Sequence, residues 1–496
     1  MPGSMWMRFA AALGTVVSGA SSSSTAIAPV AAAKHLTAWT PCPLTESSPT
    51  PLPELECAAI TVPMDHANPD GPTFTVPLIR MPSKAAKPRL LMTNPGGPGI
   101  SGVSDFRSEA TYFEKLADTY TIVSFDPRGV GASAPAITCI DAQQKLAIFN
   151  QPSVPVTPQQ QERATELAKG IGQSCSRQFG GALSHVGTGN VVRDMDAVRE
   201  AMGFDKISYI GYSYGTFVGA LYADAYPNRA DRMVLDSVMD PKLTYEQVRH
   251  GQAQGLQASI AAFVDDCLPL PDCPLSGPKE HALQTIEGLV RDLDSQMVTT
   301  AGGRELSGAR MLALIESSMY FPDSGWPALR TTLRQALAGD WVSVVDAAYS
   351  PDLMVNPADS EYLSVVCIDF QTERDAAAPA RLAPIWAKES PLSGGSRAWS
   401  LQPCEDWPVQ PVRNPGPVRA EGAGPILILN MSGDPATPLA WAQSLHQQLK
   451  GSSLVVAPGQ GHIASSHNKC ADDAALNFLE HGTLPATETF NCPADG

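Results

Sequence analysis

The segment Gly211-Tyr212-Ser213-Tyr214-Gly215 sets a serine between two glycines, where the sequence changes character. An apolar run, Lys206–Ile210, precedes it, and a stretch with helical spacing, Tyr214–Tyr226, follows it. A serine at such a strand-to-helix turn is lifted clear of the sheet, and the glycines avoid clashes at the sharp bend. The amide of Tyr214 would begin the helix, where N–H groups attract anions. The pattern predicts that Ser213 is a nucleophile and that Tyr214 N–H stabilises an oxyanion.

A second Gly-rich turn, Asn94-Pro95-Gly96-Gly97-Pro98-Gly99, follows the apolar run Arg89–Met92. Such a turn exposes backbone N–H groups, and we assign Gly97 N–H as the second oxyanion donor. A phosphate-binding role is disfavoured because the run lacks the Gly-Lys-Ser/Thr ending of phosphate loops.

A third turn, Asp126 to Ser133, carries an Asp and an Arg among glycines. We interpret it as a structural brace of its own loop and not as a substrate contact.

Short apolar runs alternate with helical patterns from Arg89 to Ser237, and the alternation returns near the C-terminus. Strands separated by helices predict a mostly parallel central sheet with helices on both faces. Together with a nucleophile at a strand-to-helix turn, this is the pattern of the α/β-hydrolase fold, in which an acid and then a histidine follow the nucleophile. The predicted strands are Arg89–Met92, Thr121–Phe125, Lys206–Ile210, Arg232–Leu235, Pro425–Asn430 and Ser453–Ala457, and the predicted core helices are Asn190–Met202, Tyr214–Tyr226, Thr437–Leu449 and Ala471–Glu480.

A serine hydroxyl needs a base to remove its proton. We predict His462, which lies in a Gly-rich loop between the strand Ser453–Ala457 and the last helix, with His467 as the competitor. The predicted acid is Asp434, because it follows the strand Pro425–Asn430 and a buried carboxylate there can accept the second imidazole N–H.

Two other acids remain alternatives to Asp434. Asp236 and Asp240 follow the strand Arg232–Leu235, and some proteins of this fold carry the acid one strand earlier. Their other interpretation is a carboxylate that caps a turn.

Between about Pro241 and Glu361 the sequence has helical periodicity but no convincing buried strand. Examples are the stretches Gln247–Asp265, His281–Met297 and Gly308–Tyr320. We predict a helical cap over residues 241–361, inserted between two parts of the core, residues 34–240 and 362–496. The second part of the core carries the acid and the histidine.

The N-terminus resembles an export signal, because Arg8 precedes an apolar run and the small residues Ala31 to Ala33 offer a cleavage site. We predict that residues 1–33 are a leader and that the protein is secreted or periplasmic. All ten cysteines lie at or after Cys42, and an even number supports disulfides in an oxidising compartment. Sequence alone leaves the connectivity open, but neighbours form five successive pairs: Cys42 and Cys57, Cys139 and Cys175, Cys267 and Cys273, Cys367 and Cys404, and Cys470 and Cys492.

Net charge, the length of the apolar run and the spacing of the cysteines argue against several classes of partner. The formal net charge is −16 and no basic patch stands out, so neither nucleic acid nor an anionic membrane is a predicted partner. The apolar run of the leader is too short to span a bilayer, so no integral membrane segment is predicted. The cysteines lack the tight Cys-x-x-Cys spacing of metal sites, and we predict no metal and no organic cofactor.

Four segments together resemble the secreted bacterial tripeptidyl aminopeptidases, which are relatives of prolyl aminopeptidase. They are the turn Asn94 to Gly99, Phe125-Asp126-Pro127-Arg128-Gly129-Val130-Gly131, the serine turn Gly211 to Gly215, and Gly433-Asp434-Pro435-Ala436-Thr437-Pro438. The resemblance runs from about Trp39 to the C-terminus. Pro95 stands where prolyl aminopeptidases have histidine, which leaves the backbone donor intact. The resemblance implies a peptide substrate and the release of short N-terminal pieces through an acyl-enzyme.

Exopeptidases of this type bind the free α-amine of the substrate with acidic side chains. Asp369 and Glu373 are the candidates for that role, and their other interpretation is ordinary charge at a helix end.

Two other functions compete with the peptidase. An esterase or lipase would use the same triad on esters, and the triad does not separate amides from esters. A non-enzymatic binding protein on a degenerate hydrolase fold would usually have lost a triad member, whereas this sequence keeps all three. Dehalogenases and epoxide hydrolases are disfavoured because they carry Asp where Ser213 stands.

Overall fold

The structure, a computed structural model, describes residues 35–43, 55–350, 359–413 and 415–494. The predicted leader, residues 1–33, lies outside these residues. None of the helices in the described ranges combines the length and the apolar character that a bilayer crossing needs.

Thirteen strands occur in the described ranges, eleven of them in one sheet and two in a short hairpin. They are β1 His35–Leu36, β2 Thr40–Pro41, β3 Glu56–Pro63, β4 Thr73–Met81, β5 Arg89–Asn94, β6 Tyr120–Phe125, β7 Ile207–Tyr212, β8 Ala230–Asp236, β9 Val298–Thr299, β10 Glu305–Leu306, β11 Ile426–Gly433, β12 Ser453–Gln460 and β13 Thr489–Asn491.

The large sheet has the order β1-β3-β4-β6-β5-β7-β8-β11-β12-β13, with β2 paired to β3. From β6 to β13 all neighbours are parallel, whereas β1 to β4 pair antiparallel and β4 joins β6 antiparallel. The sheet is therefore mostly parallel, as the alternation of strands and helices predicted. The antiparallel edge β1–β4 has no counterpart among the predicted strands.

Eighteen α-helices lie in the same ranges. They are α1 Gly102–Ser108, α2 Ala110–Phe113, α3 Ala142–Phe149, α4 Pro158–Phe179, α5 Thr188–Ala201, α6 Tyr214–Ala225, α7 Tyr245–Cys267, α8 Lys279–Ser295, α9 Gly308–Ser317, α10 Pro322–Leu337, α11 Trp341–Ala348, α12 Ser360–Asp369, α13 Ala378–Glu389, α14 Gly394–Trp399, α15 Gln402–Glu405, α16 Leu439–Gln448, α17 Ala464–His467 and α18 Lys469–His481. Short 3-10 helices span Glu114–Leu116, Gly180–His185 and Pro227–Arg229.

The central strands are buried on both faces. In β11, Ile426 and Ile428 belong to one hydrophobic cluster, and the alternate residues Leu427 and Leu429 belong to another. The first cluster includes residues of α5 and α6, and the second includes residues of α1 and α18. Because successive side chains of a strand point to opposite faces, helices cover both sides of the sheet. This is the predicted α/β-hydrolase architecture.

A third cluster belongs to the helical segment that connects β8 to β11. It is built on residues of α7 to α11, such as Ile260, Ile286 and Leu333. The helix α7 starts at a capping box, in which the Thr244 side chain accepts the Gln247 N–H. Its first turns face the sheet and its last turns pack into the third cluster.

The helical segment is longer than the predicted cap. The predicted boundary at residue 362 falls inside α12, and helices continue to Glu405 before the sheet resumes at Ile426. The helix α12 is buried almost throughout, so its sequence lacks the amphipathic spacing that marks a surface helix. The same segment contains the small hairpin β9–β10.

Five disulfides join the neighbouring cysteines, which are the pairs that their order along the chain suggested. Disulfides in this number are typical of proteins that fold in an oxidising compartment outside the cytoplasm. The Cys367–Cys404 bridge ties α12 to α15 within the helical segment.

Candidate active site

Ser213 lies at a sharp turn between β7 and α6, with φ of 54° and ψ of −123°. This is a left-handed conformation that a non-glycine residue adopts rarely. The flanking glycines explain why the turn is possible. A Cβ on Gly211 would lie 2.5 Å from the Gly215 carbonyl oxygen, and a Cβ on Gly215 would lie 2.4 Å from the Asn94 carbonyl oxygen. The Gly-x-Ser-x-Gly spacing therefore follows from close backbone packing around Ser213.

The loop after β5 packs directly against this turn. Gly96 has a φ of 93° and Gly97 a φ of 102°, so both need the conformational freedom of glycine. A Cβ on Gly96 would lie 2.4 Å from the Tyr212 carbonyl oxygen. Gly97 and Tyr214 line the same cavity as Ser213. Tyr214 is the first residue of α6, so its N–H has no acceptor within the helix.

Asp434 lies against His462. Both carboxylate oxygens are 2.9 Å from Nδ1 of the imidazole. Asp434 and His462 are 3% and 4% exposed, so water competes little for this contact. His462 also lines the cavity that contains Ser213. The structure thus brings the three residues of the predicted triad to one site.

The turn after β11 holds the Asp434 carboxylate. The backbone N–H groups of Ala436 and Thr437 donate to Oδ1, and the Thr437 hydroxyl donates to Oδ2 at 2.9 Å. The predicted helix Thr437–Leu449 starts too early. The helix α16 begins at Leu439 with Pro438 at its N-cap, because the Thr437 hydroxyl is engaged by Asp434.

The loop of His462 is fixed by the helical segment. Its backbone N–H donates to the Tyr320 carbonyl at 2.9 Å, and the two rings meet edge to face with centroids 5.3 Å apart. Tyr320 follows α9, and burial raises the pKa of its hydroxyl to about 12. Sequence reasoning missed Tyr320, because no local pattern links it to a loop 142 residues away.

Asp236 holds the residues that directly follow His462 in the chain. Among the described residues it makes no hydrogen bond to the imidazole. Its carboxylate accepts the N–H groups of Ala464 and Ser465 and the Ser465 hydroxyl, at 2.8, 2.9 and 2.6 Å. Burial raises the pKa of Asp236 to about 6, against the opposing effect of these donors. Asp236 therefore anchors α17, directly after His462.

The other alternative acid, Asp240, and the alternative base, His467, also have hydrogen-bond partners outside the triad. Asp240 accepts hydrogen bonds from the Lys242 N–H and the Gln448 side chain. His467 contacts the Tyr320 carbonyl through Nε2 at 3.2 Å, and burial lowers the pKa of its imidazole.

Asp369 and Glu373, the predicted ligands of the substrate amine, do not line the cavity. Asp369 is fully buried, and its carboxylate accepts the Thr188 N–H, the Thr188 hydroxyl and the Tyr214 hydroxyl. Burial raises the pKa of Asp369 despite these donors. Glu373 is half exposed and pairs with Arg381. The prediction is corrected on this point: Asp369 braces the side chain of Tyr214, and Glu373 forms a surface ion pair.

The turn Asp126 to Ser133 is a brace, as predicted. Asp126 accepts the Ser101 hydroxyl at 2.6 Å and the Val103 N–H at 3.0 Å, which holds the start of α1 next to the glycine loop. Arg128 is fully buried and makes a two-point contact with Asp194 at 2.6 and 2.7 Å. Neither Asp126 nor Arg128 lines the cavity.

The cavity has a volume of about 200 Å³ and lies between the serine turn and the helical segment. Its walls are mainly aromatic and apolar, which is usual for a binding site with few orienting polar groups. Two buried arginines, Arg249 and Arg397, also line it and are not among the predicted site residues. In the sequence, Arg249 follows Tyr245 and Val248 at helical spacing, so a single cation lies next to apolar residues of α7. This pattern is the sequence feature that could have indicated a buried arginine. The main lining residues from the helical segment are Tyr245, Arg249, Tyr320, Asp359, Tyr362 and Arg397.

Comparison with known proteins finds relatives over nearly the whole chain. A family model described as TAP-like protein matches residues 390–491. The tripeptidyl aminopeptidase of Streptomyces coelicolor is 29% identical over 490 residues, covering 94% of this chain and 88% of that protein. The serine protease Hip1 of Mycobacterium tuberculosis is 30% identical over 472 residues, covering 90% and 89%.

Another relative is named as an esterase and not as a peptidase. The carboxylesterase B of Mycobacterium tuberculosis is 30% identical over 487 residues, covering 94% of this chain and 91% of that protein. All three relatives extend over both the sheet and the helical segment. The chain therefore belongs to the tripeptidyl aminopeptidase family of serine hydrolases with the α/β-hydrolase fold.

Proposed function

We propose that the protein is a serine exopeptidase that releases short peptides from the N-terminus of its substrates. In this proposal Ser213 is the nucleophile, His462 the general base and Asp434 the acid. The observation that carries it is the double contact between Asp434 and His462 Nδ1, at 2.9 Å, beside the cavity that Ser213 lines. The names of the relatives, tripeptidyl aminopeptidase and serine protease, support peptides as substrates.

The mechanism follows from the hydrogen-bonding capacity of each group. A carboxylate only accepts, so Nδ1 of His462 carries the proton that faces Asp434, and Nε2 is left to accept the proton of Ser213. Ser213 Oγ attacks the carbonyl carbon, and the oxyanion accepts from the N–H groups of Gly97 and Tyr214. Each such donor contributes about 3 kcal/mol to the stability of the transition state.

Breakdown of the tetrahedral intermediate returns the proton. Nε2 of His462 protonates the leaving amine as the C–N bond breaks, which leaves an ester between Ser213 and the N-terminal piece. A water molecule then gives its proton to Nε2 and attacks this ester. The second tetrahedral intermediate collapses and Ser213 recovers its proton from His462. The short peptide leaves as a carboxylic acid, which loses its remaining proton to solvent.

We also propose that the protein acts outside the cytoplasm. The leader-like residues 1–33 and the five disulfides support this location. Determining the N-terminus of the protein purified from culture medium or periplasm tests it. A cytoplasmic protein that retains Met1 would contradict the proposal.

An ester hydrolase is the second candidate, because one relative is named carboxylesterase B. The discriminating measurement compares kcat/KM on a tripeptide nitroanilide with that on a nitrophenyl ester, for the wild type and Ser213→Ala. We expect both substrates to be cleaved, and both activities to be lost in Ser213→Ala. Fast ester cleavage without cleavage of any peptide would assign the protein to the second candidate. Mass spectrometry of the products from a peptide mixture then gives the length of the released piece.

A further inference from the structure

The helical segment brings two arginines to the wall of the catalytic cavity, Arg249 from α7 and Arg397 from α14. Both are buried, and each is 7% exposed. Asp359 and the catalytic His462 line the same cavity. Among the described lining residues, these four are the ones that can carry a charge near neutral pH.

Three of the four have a partner that offsets their charge. Arg397 forms an ion pair with Glu316, which is thereby engaged, and the His462 imidazole faces Asp434 at 2.9 Å. The Asp359 carboxylate caps α12, where it accepts two backbone N–H groups of the first turn at 2.9 and 3.2 Å. The N-terminus of a helix stabilises a negative charge, so this acid is accommodated as well.

Arg249 is different, because every hydrogen bond that it donates within the described ranges goes to a neutral side chain. The acceptors are the Ser400 hydroxyl at 2.7 Å, the Gln252 amide oxygen at 2.8 Å and, more weakly, the Tyr362 hydroxyl at 3.4 Å. Buried charges are normally paired, because removing an ion from water is costly. Arg249 is therefore a buried cation that lacks an anionic partner in the part of the chain that the structure describes.

The guanidinium is fixed in place and still has a donor to offer. Its three bonds use Nε and Nη1 and reach side chains on α7, on α12 and at the end of α14, and the Tyr245 ring lies 5.9 Å away. The remaining nitrogen, Nη2, makes no hydrogen bond to the described residues and is not among their enclosed polar atoms, so it reaches open space. A donor fixed in this way loses little freedom when it binds a ligand.

There is room beside this donor. Arg249 lines the catalytic cavity, of about 200 Å³, and also a second cavity of about 190 Å³ that adjoins it. A side chain or a chain end that extends from Ser213 therefore has space next to the guanidinium. Because little water reaches the site, a charge-assisted hydrogen bond there is stronger than one at the surface.

We propose that Arg249 is a specificity-determining residue that binds a carboxylate of the peptide substrate. The inference rests on the proposed exopeptidase function, since the anionic groups of an unmodified peptide are carboxylates. They come from the side chains of aspartate and glutamate or from the C-terminus, and guanidinium groups suit both. The protein then prefers peptides that place one of these carboxylates close to the bond that is cleaved.

The test compares substrates that differ only in this charge. One arm uses three-residue nitroanilides with glutamate or glutamine at each position in turn, and the other uses short peptides with a free or an amidated C-terminus. The proteins are the wild type, Arg249→Gln, and Gln252→Glu, which supplies an internal anion to Arg249 and leaves the buried cation in place. Arg291→Gln is the matched control, because Arg291 is an exposed arginine on α8 of the same helical segment.

We expect the wild type to have a kcat/KM about tenfold or more higher for the carboxylate member of a pair in one of the arms, and that arm identifies the source of the carboxylate. Arg249→Gln and Gln252→Glu should both bring this ratio to within about twofold of unity. Arg291→Gln should keep the wild-type ratio. A merely structural role of Arg249 would lower both members of each pair equally, and that result contradicts the proposal.

Other outcomes separate the inference from the proposed function. A wild type that cleaves peptides without preferring the carboxylate member of any pair overturns the inference and leaves the exopeptidase function standing. So does a Gln252→Glu variant that keeps the wild-type preference. A wild type that cleaves no peptide overturns the function. The mono-nitrophenyl ester of adipic acid and that of its monoamide then show whether Arg249 still selects a carboxylate, and equal cleavage of the two esters would overturn the inference as well.

Discussion

Asp434 faces His462 with both of its carboxylate oxygens, each 2.9 Å from Nδ1, and accepts three more hydrogen bonds from Ala436 and Thr437. All of the additional donors belong to the short turn between β11 and α16. The turn therefore fixes the carboxylate in the orientation that holds the imidazole. A neutral side chain of the same shape would keep the geometry but change which nitrogen carries the proton.

Asp434→Asn tests this relationship. An amide nitrogen facing Nδ1 would donate instead of accept, and the proton of the imidazole would move to Nε2, where it blocks base catalysis. We expect kcat to fall by about 10³ to 10⁴ with KM little changed. Steady-state kinetics on a nitrophenyl ester measures the effect. Asp240→Asn is the control, because Asp240 bonds Lys242 and Gln448, and a comparable loss in that variant would point to the wrong acid.

Gly96→Ala tests the contact between the glycine loop and the serine turn. The added Cβ would lie 2.4 Å from the Tyr212 carbonyl oxygen and 2.8 Å from the Tyr214 nitrogen, at a φ of 93°. The loop must move away, which separates the two oxyanion donors, and we expect kcat to fall about 10²-fold or more. Gly189→Ala is the control, because a Cβ there meets nothing within 4 Å. Equal activity of the two folded variants would argue against the oxyanion role of this loop.

The catalytic candidates were predictable because their signals are local. Ser213 and His462 each lie in a short Gly-rich turn next to an apolar run, and close backbone packing requires the glycines at Ser213. Asp434 is predicted because it follows the strand Pro425–Asn430, but Asp236 also follows a strand, so the same argument from strand ends fits both acids. Only the three-dimensional structure shows that Asp434 contacts the imidazole, whereas Asp236 anchors α17.

Long-range partners were not predictable. The sequence analysis predicts Asp369 as a ligand of the substrate amine, with a helix-end charge as the other interpretation, but its hydrogen-bond donors, Thr188 and Tyr214, are 181 and 155 residues away. The predicted cap ends at residue 361, whereas the helices continue through α12 to α15, and α12 is buried along most of its length. The strands β3 and β4 pair antiparallel with no helix between them, so they lie outside the alternation of strands and helices from which the sheet is predicted. In each case the missing information was which distant segments pack together.

Asp369→Asn distinguishes a brace from an amine ligand. The variant loses an acceptor for buried donors, so we expect it to be less stable by about 1–3 kcal/mol. The ratio of kcat/KM on free and N-acetylated peptides should stay at the wild-type value, because the Asp369 side chain is buried and does not line the cavity. Glu373→Gln should change stability by less than about 0.5 kcal/mol, since its ion pair with Arg381 is exposed. A loss of free-amine preference in Asp369→Asn would restore the original prediction.

The buried carboxyl of Asp236 gives a pH dependence of stability. Burial raises its pKa to about 6 in the folded protein, whereas an aspartate in an unfolded chain titrates near pH 4. Between these values the folded state keeps a proton that the unfolded state has released, so stability must fall as the pH rises from about 4 to about 6. Below pH 4 the contribution of the protonated Asp236 to stability is fully present. Above the folded pKa of about 6 this contribution is lost, and stability no longer changes with pH through this group. The contribution of this group is at most about 3 kcal/mol.

Asp236→Asn removes this contribution, and denaturant unfolding of both proteins between pH 4 and 7 isolates it from the other carboxyls. We expect the difference in unfolding free energy between wild type and variant to change across the window, with the wild type losing more stability as the pH rises. Ser465→Ala removes a hydroxyl that donates to Asp236 and lowers its pKa, so the upper end of the window should move to higher pH. Curves of wild type and Asp236→Asn that run parallel from pH 4 to 7 would mean that Asp236 ionises in the folded protein as readily as in the unfolded chain.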